Sequence, residues 1–266
     1  MNRGGYNLKI GGVIAAIAIL MAITAVFWTP YDPGSMSALT KFSPPSLVHI
    51  FGTDNFGRDI FSRVMEGSGA TLAIAAATVF ISAAVGITIG GLTGYYNGVL
   101  DAVLMRLNDA VSAFPSILLA LVIIRFMGPG KHNIIITLSI LFVPSFARTA
   151  RGEFARLKNL DFVHSARLMG ASNARIIFRH MLPNALPVLL SSIAIGFNNA
   201  VLAEASMSFL GIGVQPHESS LGRMLSEAQA YLVTAPWYAV SVGIVIVLTI
   251  LGFSMLGDGL ERLRDG

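Results

Sequence analysis

The fold is decided by residues 133–184, which read NIIITLSILFVPSFARTARGEFARLKNLDFVHSARLMGASNARIIFRHMLPN. Residues 133–150 form an apolar run, and a transmembrane helix needs roughly 20 mostly apolar residues. Residues 151–182 are rich in arginine, and a second apolar run follows at 186–212. An apolar span, a basic segment and another apolar span predict two membrane helices joined on the cytoplasmic side, where Lys and Arg accumulate.

The whole chain has the composition of an integral membrane protein. Its 266 residues are 54% hydrophobic and 12% charged, whereas soluble domains are about 25% charged. The absence of cysteine excludes disulfides, thiolate metal sites and cysteine nucleophiles. The sequence pI of about 9.6 is attributed to residues that set membrane topology, and no nucleic-acid binding is expected.

Apolar stretches of spanning length occur at residues 9–28, 70–95, 111–127 (with an alternative start at Asp101), 133–150, 186–212 and 237–256. Their length favours helices, because a barrel strand needs only about 9–11 alternating residues. The sequence therefore predicts an all-α membrane protein with six transmembrane helices, in contact with the lipid bilayer and with both termini on one side.

The charge distribution places both termini in the cytoplasm. With the N-terminus inside, most Lys and Arg residues lie on the cytoplasmic side, above all in residues 148–179. We predict an N-terminal tail and first helix at 1–29, an extracytoplasmic segment at 30–69, and a five-helix core at 70–266. The core carries a cytoplasmic loop at about 151–185.

No enzyme, metal or nucleotide site is found in the sequence. The five histidines form no H-E-x-x-H pair, and there is no G-x-x-x-x-G-K-[ST] loop for ATP. We therefore expect the chain to bind no metal or cofactor. An ion-coupled transporter acting alone is a weaker alternative, because the internal repeats common in such proteins are absent.

The cytoplasmic loop begins with the pattern of a short helix. Asp161 is predicted to be its N-cap, and Phe162, Ala166 and Met169 fall on one face. Gly170 can end the helix in a left-handed conformation.

A second helix is predicted directly after this turn. Ser172 can cap it, Arg175 and Arg179 lie one turn apart on it, and Pro183 is expected to end it. The residues alone leave two interpretations open, an amphipathic anchor at the membrane surface or a docking surface.

Three further patterns concern the spans. Gly86, Gly90 and Gly94 predict close helix packing, and Pro115 predicts a kink. Glu204 is an acid inside a span, so it is expected either to line a pathway or to act as a hydrogen-bonded structural group. Asn198 and Asn199 are expected to share its polar face and are candidate pathway residues.

Residues 51–63, FGTDNFGRDIFSR, form a polar, glycine-containing motif before the second span. Its charged residues are expected to order the segment through ion pairs. The motif is either part of an outer vestibule or binding-protein dock, or a structural cap on the second span. Its candidate residues are Gly52, Thr53, Asp54, Gly57, Arg58, Asp59 and Arg63.

The cytoplasmic loop resembles the EAA loop of ABC importer permeases. His164-Ser165-Ala166, then Gly170, then Leu182-Pro183 follow that pattern, with His164 and Ser165 in place of Glu and Ala. The family's Glu would stand at the third helical position and could close a capping box. The motif at 51–63, Ala203–Pro216 and Leu256-Gly257-Asp258 are similar to the oligopeptide, dipeptide and nickel subfamily.

The resemblance covers about residues 50–260 and implies a type I ABC importer permease in the cell inner membrane. It implies half of a pathway for short peptides, with nickel or a metal chelate as the alternative. The implied partners are a second permease, two ATPases that hold ATP and Mg, and an external solute-binding protein. The implied ATPase-coupling residues are Asp161, Phe162, Val163, His164, Ser165, Ala166, Arg167, Met169, Gly170 and Ser172.

Overall fold

The computed structural model describes residues 3–215 and 218–265, and the side chains of residues 8–215 and 218–259. Pro216, the last residue of the Ala203–Pro216 motif, lies outside the described part. The helices are α1 (Arg3–Phe27), α2 (Ile60–Tyr96), α3 (Gly98–Ser112), α4 (Ser116–Met127), α5 (Lys131–Leu157), α6 (Asp161–Leu168), α7 (Asn173–Arg175), α8 (Leu182–Phe209), α9 (Leu221–Gln229) and α10 (Pro236–Asp265). A 3₁₀ turn at Ala38–Thr40 and a π-helical turn at Ile176–Met181 complete the helical elements.

The spans predicted from the sequence are confirmed. Five helical stretches are long and apolar enough to cross a membrane, at Leu8–Phe27, Ile60–Tyr96, Lys131–Leu157, Asn173–Phe209 and Pro236–Gly259. The pair α3 and α4 makes a sixth if it is counted as one span, although the two helices are bent by 90°. The described residues contain no strand ladder and only one isolated bridge, between Thr53 and Asp59.

The third span is broken, which is a larger effect than the predicted kink at Pro115. Proline lacks the N–H that would continue the helix, so α4 starts afresh at Ser116. On the other side of the break, α3 lies across the end of α5. Asp101 pairs with Arg151 at 2.5 Å and Asp109 with Arg148 at 3.6 Å, so two positions eight residues apart on α3 contact a single turn of α5.

The helices α2 and α5 pack closely against each other, and the glycines predicted for close packing are the reason. A Cβ on Gly86 would lie 2.6 Å from Cβ of Phe146, and one on Gly94 would lie 2.6 Å from the carbonyl oxygen of Arg151. At Gly90 it would meet the Ala147 carbonyl. The two backbones can approach this closely only because these positions have no side chain.

Two predicted boundaries are wrong. The helix α2 begins at Ile60, so the boundary drawn between residues 69 and 70 lies inside a helix. Asp59 is the N-cap at this earlier position, because its carboxylate accepts a hydrogen bond from the Ser62 backbone N–H. Pro183 does not end a helix, because the π-helical turn before it widens the backbone and lets α8 continue to Phe209.

Candidate functional site

The segment from Asp161 to Ser172, called the α6 segment, is held in place by buried hydrophobic contacts. Val163 and Ala166 of α6 are buried against Phe154 and Leu157 at the end of α5 and Ile176 of the π-helical turn. This contact fixes the segment to the ends of α2, α5 and α8, so α6 moves with these helices as one packed unit.

The predicted cap and apolar face of α6 are wrong by about one position. Leu160 is the N-cap and provides no side-chain acceptor, while Asp161 is the first helical residue. His164 therefore stands at the fourth helical position, where the capping-box geometry does not apply. The face that packs inward contains Phe162, Val163 and Ala166, whereas Met169 points away from the protein.

The exposed side of the α6 segment carries two large apolar side chains. Leu168 is 90% exposed and Met169 is 87% exposed. They follow His164 and Ser165 on the outward face, and Gly170 ends the helix with φ of +77°. Ser172 then accepts a hydrogen bond from the Arg175 backbone N–H, as predicted for a cap. Apolar side chains presented from a polar, basic surface are typical of a docking face.

Sequence reasoning missed Tyr95, which anchors the α6 segment from the end of α2. The Tyr95 hydroxyl donates to Asn173 Oδ1 at 2.7 Å and accepts a long contact of 3.5 Å from Arg167. Lys158 and Arg167 also lie near the Tyr95 ring face, at 5.9 and 6.0 Å from its centroid. Arg167, expected as a partner contact, is thus in contact with Tyr95 of the same chain.

At the other end of α2, the predicted ion pairs form a buried network. The Asp54 carboxylate accepts from Arg58 Nε and from an Arg63 terminal nitrogen, both at 2.7 Å. Asp59 takes a different partner, since it accepts the α2 cap bond and lies 2.9 Å from His49 Nδ1. Gly52 and Gly57 adopt φ of +73° and +74°, which explains glycine at both turns.

Two members of this network lie far along the chain and carried no local signal. Arg63 bonds to Glu227 of α9 at 3.0 Å and to the Tyr238 hydroxyl of α10 at 2.8 Å. Tyr238 in turn donates to Glu227 at 3.2 Å. The ion-pair network (Asp54, Arg58, Arg63, Glu227 and Tyr238) thus ties the 30–59 segment to α2, α9 and α10.

The three polar residues predicted inside the fifth span do not share a face. Glu204 is fully buried and accepts from the Ser208 hydroxyl at 2.6 Å. Asn199 is exposed on another side of α8, and Asn198 is half-buried with Oδ1 unpaired. Six residues of helix rotate the direction of a side chain by about 240°, which is why Asn198 and Glu204 diverge. Glu204 thus has one carboxylate oxygen bonded to Ser208 and leaves Oε2 without a hydrogen bond among the described residues.

Asn199 lies where two clefts between α5 and α8 meet. One cleft, of about 330 Å³, includes Ser145, Thr149 and Ser192, and the other, of about 310 Å³, includes Ser116 and Ser206. Phe142 and Asn199 line both clefts, so the two lie side by side, and together they are called the α5–α8 groove.

A larger and more apolar opening lies between α1, α2, α8 and α10. It has a volume of about 1060 Å³ and is bordered by residues such as Ile23, Leu72, Phe197 and Phe253. Such a lining suits hydrocarbon better than a polar solute. Among the residues that the structure describes, no group of three or more His, Cys, Asp or Glu side chains is placed to hold a metal ion.

Taken together, the apolar helices define a multi-pass membrane protein, and the α6 segment leaves two large apolar side chains exposed at one end of it. Residues 86–265 match the family described as binding-protein-dependent transport system inner membrane component, and the chain belongs to this family.

Similar proteins of known name cover nearly the whole chain. A putative peptide transport system permease protein of Brucella suis is 41% identical over 97% of this chain and 87% of its own length. The dipeptide transport system permease protein DppC of Alkalihalophilus pseudofirmus is 38% identical over 96% of this chain and 84% of its own. The glutathione transport system permease protein GsiD of Pectobacterium atrosepticum is 38% identical over 95% and 86%.

A solved structure shows the same fold. The inward-facing MetNI methionine ABC transporter contains a chain that aligns with a TM-score of 0.63 and 21% identity, over 76% of this chain and 95% of that one. The chain is thus an ABC importer permease, and such a permease works with ATPase and binding-protein components.

Proposed function

We propose that this chain is one of two permease subunits in an ATP-driven importer of short peptides. The observation that carries the proposal is the exposed α6 segment. Its Leu168 and Met169 face outward, while its inner face packs on the buried hydrophobic cluster. An amphipathic helix that docks in a groove transmits motion well, because packed helices move as rigid bodies. The named relatives support peptides over nickel or a metal chelate as the substrate.

The remaining assignments follow from this proposal. Two ATPase subunits hold ATP and Mg, and one of them receives the α6 segment. A second permease completes the pathway, and a solute-binding protein docks at the end that carries the ion-pair network. Counting the broken α3–α4 pair as one span gives six spans, and this number supports our assignment of both termini to the cytoplasmic side of a cell inner membrane.

Reconstitution in liposomes tests the proposal. The full complex with its binding protein is expected to take up labelled di- and tripeptides only when ATP is inside. Uptake of nickel alone or of a nickel chelate, with no uptake of peptides, would contradict the substrate. Uptake without ATP would contradict the mechanism.

Gly170 provides a matched pair of variants for the coupling step. Gly170→Val forces a β-branched residue into a left-handed conformation, whereas Gly170→Asn tolerates that conformation. We expect the valine variant to lose peptide-stimulated ATP hydrolysis and uptake, and the asparagine variant to keep most of both. Equal activity of the two variants would show that the shape of the α6 segment does not matter for coupling.

A further inference from the structure

The α5–α8 groove carries a regular line of polar side chains. Ser192, Asn199 and Ser206 are seven residues apart on α8, so they fall on one face two turns apart. The line from Ser192 to Ser206 measures about 21 Å at 1.5 Å per residue, which is about two thirds of the hydrocarbon thickness of a bilayer.

Several of these polar groups have no partner within the described part of the chain. The Asn199 side-chain amide and the Ser192 hydroxyl make no hydrogen bond there, and neither does the Ser145 hydroxyl across the groove. The Ser206 hydroxyl donates to the Leu202 carbonyl of its own helix and keeps its acceptor capacity. Polar groups left facing lipid are costly. The arrangement therefore favours water or a hydrogen-bonding solute over lipid in this groove.

The groove is also uncharged. The residues that line its two clefts include no Asp, Glu, Lys, Arg or His among those that the structure describes. Ser and Asn side chains each offer both a donor and an acceptor, as does each amide unit of a peptide backbone. The rest of the lining is largely apolar, so these side chains offer hydrogen bonds to backbone amides without a charge that would select among peptide side chains.

We propose that the α5–α8 groove is the part of the pathway contributed by this chain, and that Ser192, Asn199 and Ser206 hold a passing peptide by its backbone. This inference rests on the proposed function and adds the contact surface and its chemistry. An extended peptide rises about 3.3 Å per residue, so the line accommodates about six residues. Peptides of different charge are then moved with similar efficiency once the binding protein delivers them.

The chain lacks cysteine, so single cysteines report on the groove without background from this subunit. Ser192→Cys, Asn199→Cys and Ser206→Cys are compared in the liposome complex with Val240→Cys, on an exposed apolar face of α10. A charged, membrane-impermeant thiol reagent reacts with thiolates in water. We expect the groove positions to react at least about tenfold faster than the control, because lipid suppresses ionisation of the thiol. We also expect turnover with peptide to change their rates.

A second test changes the charge at the centre of the line. Acidic and basic tripeptides are supplied at equal occupancy of the binding protein, and their uptake ratio is measured. Asn199→Asp is expected to lower uptake of the acidic peptide about tenfold relative to the basic one, through like-charge repulsion. Asn199→Gln is expected to keep the ratio of the unmodified complex.

The outcomes separate this inference from the proposed function. If the unmodified complex takes up no peptide, the proposed function is wrong. If it takes up peptides while the groove cysteines react as slowly as Val240→Cys, the groove is covered by lipid or another subunit and the inference is wrong. An unchanged uptake ratio in Asn199→Asp also overturns the assigned contact.

Discussion

The two ends of α2 differ in how their polar and apolar groups are paired. At the Ile60 end, the ion-pair network is closed on itself, and Arg63 is only 2% exposed with three partners from different elements. At the Tyr95 end, the α6 segment buries Val163 and Ala166 but leaves Leu168 and Met169 uncovered. One end is paired within this chain, whereas the other leaves large apolar side chains exposed, as the proposed ATPase docking requires.

This difference predicts which substitutions destabilise the folded chain and which weaken its binding to a partner. Removing one partner from a buried charge network leaves the others unpaired, which destabilises the chain itself. Removing an exposed apolar side chain leaves the folded chain almost unchanged and weakens whatever docks there. The following predictions separate the two ends by these signatures.

The largest effect is expected for Arg63→Met. It removes the more buried of the two arginines that pair with both Asp54 and Glu227, and breaking a buried pair costs about 3–5 kcal/mol. We expect a strong fall in the unfolding temperature of the detergent-solubilised chain. Arg223→Met removes the more exposed partner of Glu227 and is expected to cost at most about 1 kcal/mol. Equal losses would show that the network is not a buried unit.

The packing of α2 against α5, between these two ends, is tested by Gly90→Val. The new side chain would press into Ala147 and Ala150, and overpacking costs about 1–3 kcal/mol. We expect lower thermal stability and, because α2 and α5 carry the α6 segment, lower transport. Gly152→Ala, which has open space around it, is the control and should behave as the unmodified chain. A stable Gly90→Val variant would contradict the tight α2–α5 packing.

The α6 end is tested by Leu168→Ser combined with Met169→Ser. Side chains at the centre of an interface contribute about 2 kcal/mol each, so binding of the ATPase is expected to weaken at least about tenfold. Thermal stability of the isolated chain should stay the same, because both side chains are exposed. Val163→Ser on the opposite face should lower stability instead. Loss of stability in the double variant would contradict this comparison.

The smallest effect is expected for Ser172→Ala. Its hydroxyl caps the turn that follows Gly170, and loss of such a cap costs about 1 kcal/mol. Hydrogen exchange at residues 173–176 should accelerate, while exchange near Arg63 stays unchanged. Ser172→Asp retains a capping acceptor and should restore protection. Equal exchange in both variants would show that the cap is not needed.

The overall fold was accessible from the sequence because it depends on length and hydropathy. The spans, the close-packing glycines and the left-handed Gly170 follow from local rules and are confirmed. The early start of α2 was missed because glycines at 67 and 69 weaken a helix intrinsically. In the structure, Gly67 packs closely against Ser220 and Leu221, and tertiary contact outweighs propensity.

The sites were predictable only where their residues are close in sequence. Asp54, Arg58 and Arg63 lie within ten residues, but Glu227 and Tyr238 join them only through the fold. Likewise, Tyr95 carries no motif that links it to Asn173. The inward face of α6 was misplaced because both Phe162 and Val163 are apolar, and only packing against α5 decides which side is buried.

The length of α2 has one further consequence. Its 37 residues form a single uninterrupted helix of about 55 Å, longer than the roughly 30 Å of hydrocarbon. Arg63 and Tyr95 are therefore related by a fixed rotation as well as a fixed distance. One inserted residue would turn one end relative to the other by about 100°. The uninterrupted helix therefore fixes the direction in which the Arg63 surface faces relative to the Tyr95 surface.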